Sequence, residues 1–177
     1  IKPFVYEYYT VFSDYAQQKD ITLEFDCKVE EYTQIAFDRI HIGRALSNLI
    51  SNAFKYTGAK GLIRLEIYQD AEFVHICVHD NGKGIKKDDL DNVFQRFWQD
   101  KDANKGLLIK GSGIGLSYVK TIVEKHNGKV DVTSIPDIST RFTISLPISN
   151  NLCAYVPPFS NILDNEDAFK RDVLAII

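Results

Sequence analysis

Six of the ten glycines fall between Gly82 and Gly115, and five of these form two tight groups, Gly82/Gly84 and Gly111/Gly113/Gly115. Glycine permits positive φ and lets backbone N–H groups approach a ligand closely, so a glycine-rich loop feeding a helix N-terminus is a ready phosphate site. The run Gly111-Ser112-Gly113-Ile114-Gly115-Leu116 has that arrangement, because helical periodicity (Ile114, Val119, Ile122, Val123) begins within it. Upstream, Asn48, Asn52, Lys55 and Tyr56 stand at i, i+4, i+7 and i+8 and share a stripe beside the apolar face of one helix. Two asparagines there are a solvated face when taken alone; with the glycine loops they read as metal and phosphate ligands. Asp80 ends a strand whose inward positions are Val74, Ile76 and Val78, and period-2 alternation puts its carboxylate on the same side. A carboxylate there can accept a hydrogen bond from an exocyclic amine such as that of adenine, with Gly82 and Gly84 leaving room for the ring. The alternative is a turn-forming Asp80-Asn81-Gly82.

The elements that must position these residues follow from periodicity. Residues 4–18 repeat aromatic and apolar side chains at helical spacing, and Ile21–Asp26 alternates like a strand. From Asp38 to Thr57, Ile42, Ala45, Leu46, Leu49, Ile50 and Ala53 keep the spacing of an amphipathic helix. Leu62–Tyr68 and Phe73–His79 predict an antiparallel hairpin with a turn at Gln69–Glu72, and Lys129–Thr133 and Arg141–Leu146 complete a sheet. A helix from the glycine run ends near Asn127–Gly128. This order predicts an α/β fold: a two-layer sandwich with helices on one face of a mixed, mainly antiparallel sheet. Residues 1–148 read as one domain and 149–177 as a linker or tail, with Asp167–Ile177 resembling the start of a helix of a following domain.

At 177 residues, with 45% hydrophobic and 25% charged residues, the composition is that of a globular protein rather than a disordered one. The net charge of -3 gives no general attraction to nucleic acid or anionic lipid, so bound anions need a local site. No apolar run has the length of a membrane span. Three widely spaced cysteines, Cys27, Cys77 and Cys153, fit a reducing compartment, which makes the cytoplasm the expected location. The lack of any methionine suggests a piece of a longer polypeptide.

Four segments carry a family resemblance: Asn48-Leu-Ile-Ser-Asn52-Ala-Phe-Lys55-Tyr56-Thr57, Asp80-Asn-Gly82-Lys-Gly84-Ile85, Phe94-Gln-Arg-Phe97-Trp98 and Gly111-Ser-Gly113-Ile-Gly115-Leu116. In order and spacing they resemble the N, G1, F and G2 boxes of the sensor histidine kinase ATP-binding domain, over roughly residues 3–148. The resemblance implies the Bergerat ATP-binding fold, with ATP and Mg²⁺ between the helices and a lid at about Gln99–Lys110. By matching position it implies that Asp80 binds the adenine amine, with Gly82, Gly84 and Ile85 beside it. Asn52 would coordinate magnesium, and Asn48, Lys55 and Tyr56 would line the nucleotide site. Lys110, Gly111, Ser112, Gly113, Ile114, Gly115 and Leu116 would meet the phosphates and adjoining nucleotide, while Phe94 and Phe97 anchor the base of the lid. Asn48 and Lys55 are the residues implied to serve catalysis.

The implied activity is transfer of the γ-phosphoryl group to a histidine on a dimerisation domain absent from this sequence, and from there to a response regulator receiver domain. The full protein is then expected to be a homodimer, and this fragment a monomer that does not phosphorylate itself. An alternative is a kinase-inactive nucleotide-sensing or docking module. A hydrolytic relative is disfavoured, because gyrase-type and heat-shock chaperone-type ATPases carry Glu where this chain has Asn48, and an amide cannot take a proton from water. Two positions depart from the family pattern. Gln99 stands where many members have Arg, leaving Lys55, Lys105 or Lys110 to supply a cation, and Asp137–Phe142 lacks the glycines that often precede the last strand. None of His41, His75, His79 and His126 has the sequence context of the phosphoacceptor, and all four read as structural. His75 and His79, about 13 Å apart at roughly 3.3 Å per strand residue, are too far apart to chelate one metal.

Overall fold

The computed structural model describes residues 1–30, 33–99 and 112–148. The elements run α1 (Lys2–Gln18), β1 (Thr22–Lys28), α2 (Arg39–Tyr56), β2 (Leu62–Gln69), β3 (Phe73–Asp80), α3 (Lys87–Leu90), α4 (Gly115–Lys125), β4 (Lys129–Ile135) and β5 (Ser139–Pro147). The strands form one five-stranded sheet in the order β1-β2-β3-β5-β4. Only the β1–β2 pair is parallel; the other three are antiparallel, so the predicted mixed, mainly antiparallel sheet is the one observed. The short α3 is the one element the periodicity does not predict, since four residues are too few to display a helical repeat.

The sheet is amphipathic in the manner of a two-layer sandwich. Ile63, Leu65 and Ile67 of β2, Val74, Ile76 and Val78 of β3, and Phe142, Ile144 and Leu146 of β5 are buried with Ile42, Leu46, Leu49 and Ile50 of α2 and Val119 and Val123 of α4. The opposite rows are polar. On that outer face Arg64 pairs with Glu24 of the neighbouring β1, and Arg141 of β5 reaches over β3 to pair with Glu66 of β2. Side-chain alternation thus divides each strand between core and water, which fixes its register.

Two devices set α2 and α4 against one another. Asp38 caps α2 by accepting hydrogen bonds from the Ile40 and His41 backbone N–H groups, both at 2.9 Å. The Asp38 N–H donates to His126 Nε2 at 3.0 Å, and the same ring lies 2.8 Å from the Ile122 carbonyl through Nδ1. A nitrogen that accepts from an N–H carries no proton, so the ring is in its Nδ1–H tautomer and donates to Ile122. His126, read from sequence as structural, is a buried bridge from α4 to the cap of α2.

Candidate functional site

The far ends of α2 and α4, away from His126, open on a cleft of about 200 Å³. One wall is α2, through Asn48, Asn52, Ala53, Lys55 and Tyr56. The other runs along the chain from Lys83, Gly84 and Ile85 through Lys86, Asp89 and Val93 to Trp98 and Gln99. Asp80, Thr140 and Phe142 form the floor, and Ser112, Gly113, Gly115 and Leu116 close the end at α4.

The floor is set by strand alternation. Asp80 follows Val74, Ile76 and Val78 on the buried side of β3 and is only 5% exposed. Its Oδ1 accepts from the Gly82 N–H at 2.9 Å, its one hydrogen bond among the described residues. Burial pushes the carboxyl up to about 6, opposed by that single backbone donor. Opposite Asp80 in the antiparallel ladder stands Thr140. Gly84, at φ +66, turns the chain away from Asp80 where a Cβ would run into the Ile135 and Pro136 backbone.

The α2 wall follows from its helical stripe. Asn48 Nδ2 donates to the Arg44 carbonyl at 2.8 Å, and its Oδ1 lies 2.6 Å from the point a Cβ on Gly115 would occupy. Gly115 therefore allows the first turn of α4 to approach Asn48. Asn52 is half-buried on the cleft, and no hydrogen bond to its side chain is found among the described residues. Tyr56 has the Lys55 Nζ 5.2 Å and the Lys83 Nζ 4.7 Å from its ring centroid, both within cation–π range.

At the remaining end, α4 starts without a side-chain cap. Its first-turn N–H groups and the positive end of its dipole adjoin Gly113 and Gly115 at the cleft, an arrangement suited to an anion. The Gly113 carbonyl accepts from the Phe97 N–H at 2.8 Å, tying the second wall to the glycine run.

Of the residues singled out in the sequence, Asn48, Asn52, Lys55, Tyr56, Asp80, Gly84, Ile85, Ser112, Gly113, Gly115 and Leu116 line this one cleft. Gly82 supports it from below through Asp80. Phe94, Phe97 and Ile114 do not line it. Phe94 packs edge-on against Phe142, a ring-centroid distance of 6.1 Å, behind the lining. Phe97 adopts φ +65, which leaves its side chain 71% exposed, so its backbone and not its ring makes the anchoring contact. Ile114, at the N-cap of α4, is 46% exposed and does not line the cleft. Lys110 and Gly111, with all of the expected lid after Gln99, lie outside the described residues, as does the 149–177 tail.

Thr140, Phe142, Lys83, Lys86, Asp89, Val93 and Trp98 line the cleft without having been assigned to it from sequence. Thr140 was accessible in principle, because continuing the β3–β5 ladder to its end sets it against Asp80. Among the described residues, no group of three or more His, Cys, Asp or Glu could hold a metal ion by itself. The donors at the cleft are instead amide oxygens. These suit a hard cation that draws its other ligands from phosphate and water.

A profile of histidine kinase-, DNA gyrase B-, and HSP90-like ATPases matches residues 37–150. Histidine kinase P4 of Formosa agariphila is 36% identical over 150 residues, covering 84% of this chain and 11% of the kinase. Sensor histidine kinase TmoS of Ectopseudomonas mendocina is 36% identical over 151 residues, 82% of this chain and 15% of its own length. The chain thus spans a small part of both relatives. Among solved structures, the catalytic domain of histidine kinase ThkA superposes with a TM-score of 0.72 at 25% identity, covering 84% of this chain and 92% of that one. ThkA in complex with the response regulator protein TrrA gives 0.69 at 23% identity, covering 84% and 40%, and shares the fold. With the Asp80 floor, the α2 amides and the α4 glycine run all meeting at one cleft, this chain belongs to the histidine kinase-, DNA gyrase B-, and HSP90-like ATPase family, and within it to the ATP-binding catalytic domains of histidine kinases.

Proposed function

We propose that the domain holds ATP with Mg²⁺ in this cleft and delivers the γ-phosphoryl group to a histidine on a dimerisation domain of the same protein. The observation that carries the reading is a pair of polar groups whose hydrogen-bonding capacity the protein leaves unfilled. The Asn52 amide has no hydrogen-bond partner among the described residues, and the buried Asp80 carboxyl has only the Gly82 N–H. Such groups are costly in a folded chain unless a ligand completes them.

In this reading ionised Asp80 accepts a hydrogen bond from the adenine amine and fixes the base against the floor. Asn52 offers an amide oxygen to the metal, and the first-turn N–H groups of α4 with Lys55 meet the phosphates. Bound Mg²⁺ would neutralise charge on the phosphate oxygens. Asn48 stands by the phosphate end, and its amide cannot deprotonate water. The phosphoryl group is thereby held for a nucleophile that arrives from outside the domain. None of the four histidines serves as acceptor. His41 and His126 are buried, His75 bonds Ser145 Oγ and the Asp70 carboxylate, and His79 lies on the outer sheet face, away from the cleft. The complete kinase works as a cytoplasmic homodimer and passes its phosphoryl group to a response regulator receiver domain, a partner class named for ThkA.

Thermal unfolding of the parent and of Asp80→Asn, each with and without ATP and Mg²⁺, tests the nucleotide site. Ligand at 100 times its dissociation constant should stabilise the parent by about 2.7 kcal/mol and leave the variant unmoved. Adding the separate dimerisation domain with γ-labelled ATP should then yield acid-labile phosphohistidine on that domain and none on this one. Gln99 lines the cleft in place of a cationic side chain. If ATP binds and no phosphate is transferred, the domain is a nucleotide-sensing module.

A further inference from the structure

The cleft holds an acid that neither the base nor the phosphates account for. Asp89, in α3, lines the cleft half-buried, and its carboxylate has no hydrogen-bond or ion-pair partner among the described residues. Its backbone is engaged on both sides. The Asp89 N–H donates to the Lys86 carbonyl at 3.0 Å, and its own carbonyl accepts from the Asn92 N–H at 2.9 Å. The side chain is thus held at the cleft by the turn of α3 while its charge goes unused.

Its place along the wall narrows what it could meet. The wall begins beside the Asp80 floor, where the Ile85 N–H is tied to Ser134 Oγ at 2.8 Å. It ends at the phosphate end, where the Phe97 N–H is tied to the Gly113 carbonyl. Asp89 lines the cleft from the stretch of chain held between these two ties. Asp80 already serves the base amine. A phosphate oxygen would repel a second carboxylate. The amide donors suited to a metal, Asn48 and Asn52, stand on the opposite wall. The part of a nucleotide between base and phosphates is its ribose, whose hydroxyls are donors that a free carboxylate can accept from, as acidic residues do in other nucleotide sites.

We infer that Asp89 accepts a hydrogen bond from a ribose hydroxyl and makes the cleft selective for ribonucleotides over deoxyribonucleotides. This rests on the nucleotide reading above. A site that spends a charged acceptor on a hydroxyl rejects the analogue lacking it, because the acceptor is left unpaired.

The test is titration calorimetry of the parent, Asp89→Ala and Asp89→Asn with ATP, 2′-deoxy-ATP and 3′-deoxy-ATP, all with Mg²⁺. The parent should bind ATP about ten-fold more tightly than at least one deoxy analogue, a factor set by a charge-assisted hydrogen bond at a half-exposed site. Asp89→Ala should weaken ATP about ten-fold, to the level of that analogue, and leave the analogue's affinity unchanged; Asp89→Asn should fall between. Unliganded thermal midpoints should agree among the three proteins, since no intramolecular partner is lost. Equal affinity of the parent for all three nucleotides would overturn the inference while leaving the nucleotide site intact. A loss in Asp89→Ala shared equally by ATP and both analogues would overturn it too. Absence of binding by any nucleotide to the parent would remove the nucleotide reading itself, and this inference with it.

Discussion

The two ends of the α2–α4 pair are built from the same kinds of residue and treat them in opposite ways. At the Asp38 end the polar groups of Asp38 and His126 have their partners inside the chain. The Asp38 carboxylate caps α2 and lies 3.1 Å from His41 Nδ1, and its N–H meets His126, whose other nitrogen meets Ile122. At the Asp80 end the Asn52 amide and the Asp89 carboxylate have no partner among the described residues, and Asp80 has one. A closed network holds the helices together; an open one leaves donors and acceptors for a ligand to complete. The difference teaches that burial of polar groups marks a site only where their valences are unfilled.

The largest way to break this contrast is Asp80→Asn. An Asp held at about 6 in the folded state and near 3.8 unfolded binds more protons folded than unfolded between those values. Stability from this group is therefore lost as pH rises from 3.8 through 6, about 3 kcal/mol in all for two pH units. The asparagine keeps an oxygen for the Gly82 N–H and carries no charge to bury. The unliganded variant should be more stable than the parent by about 2 kcal/mol at pH 8, after part of the gain is offset by its buried amide N–H groups. The gain should vanish toward pH 4, and the variant should show no ATP-induced shift. Urea unfolding at pH 4, 6 and 8 checks the sign, and a destabilised variant at pH 8 would refute an open, strained end.

At the closed end the sign reverses. His126→Ala removes the acceptor of the Asp38 N–H and the donor to Ile122 from a position 4% exposed. A loss of about 2–3 kcal/mol in urea unfolding is expected, from unpaired backbone groups and a small cavity. ATP-induced stabilisation should persist, because no cleft residue is altered.

How much of this was legible in the sequence follows from the range of each signal. The α2 stripe and the inward Asp80 were readable because helix and strand periods are local, and the glycine groups because their spacing is local too. Contacts made by topology were not. His126 meets Asp38 across 88 positions, and Thr140 meets Asp80 only through the β3–β5 register. Asp89 reaches the cleft on a four-residue helix that leaves no periodic trace. The outward ring of Phe97 was not legible for a backbone reason, since a left-handed φ at a phenylalanine cannot be read from residue type.

A smaller effect sharpens the open end by pH. If Asp80 must be ionised to accept the adenine amine, base recognition weakens as pH falls through about 6, where the carboxyl takes up its proton. Adenosine, which has no phosphate to titrate, should bind about ten-fold more weakly at pH 5 than at pH 8, one pH unit below the midpoint corresponding to about a tenth ionised. Isothermal titration at both values measures this directly. A flat profile would place the amine elsewhere.

The smallest expected effect is the most discriminating, because it is close to zero where a structural amide would cost several kcal/mol. Asn52→Leu replaces a half-buried side chain that has no hydrogen bond among the described residues with a better helix former of similar size. No partner is orphaned, so unliganded stability should stay within about 0.5 kcal/mol of the parent or rise slightly. The loss should fall on the metal alone. In the parent, Mg²⁺ should strengthen ATP binding, and in Asn52→Leu the affinities with Mg²⁺ and with EDTA should converge toward the metal-free value. Loss of stability without loss of the Mg²⁺ dependence would show that Asn52 belongs with Asp38 and His126, among the groups that hold the fold.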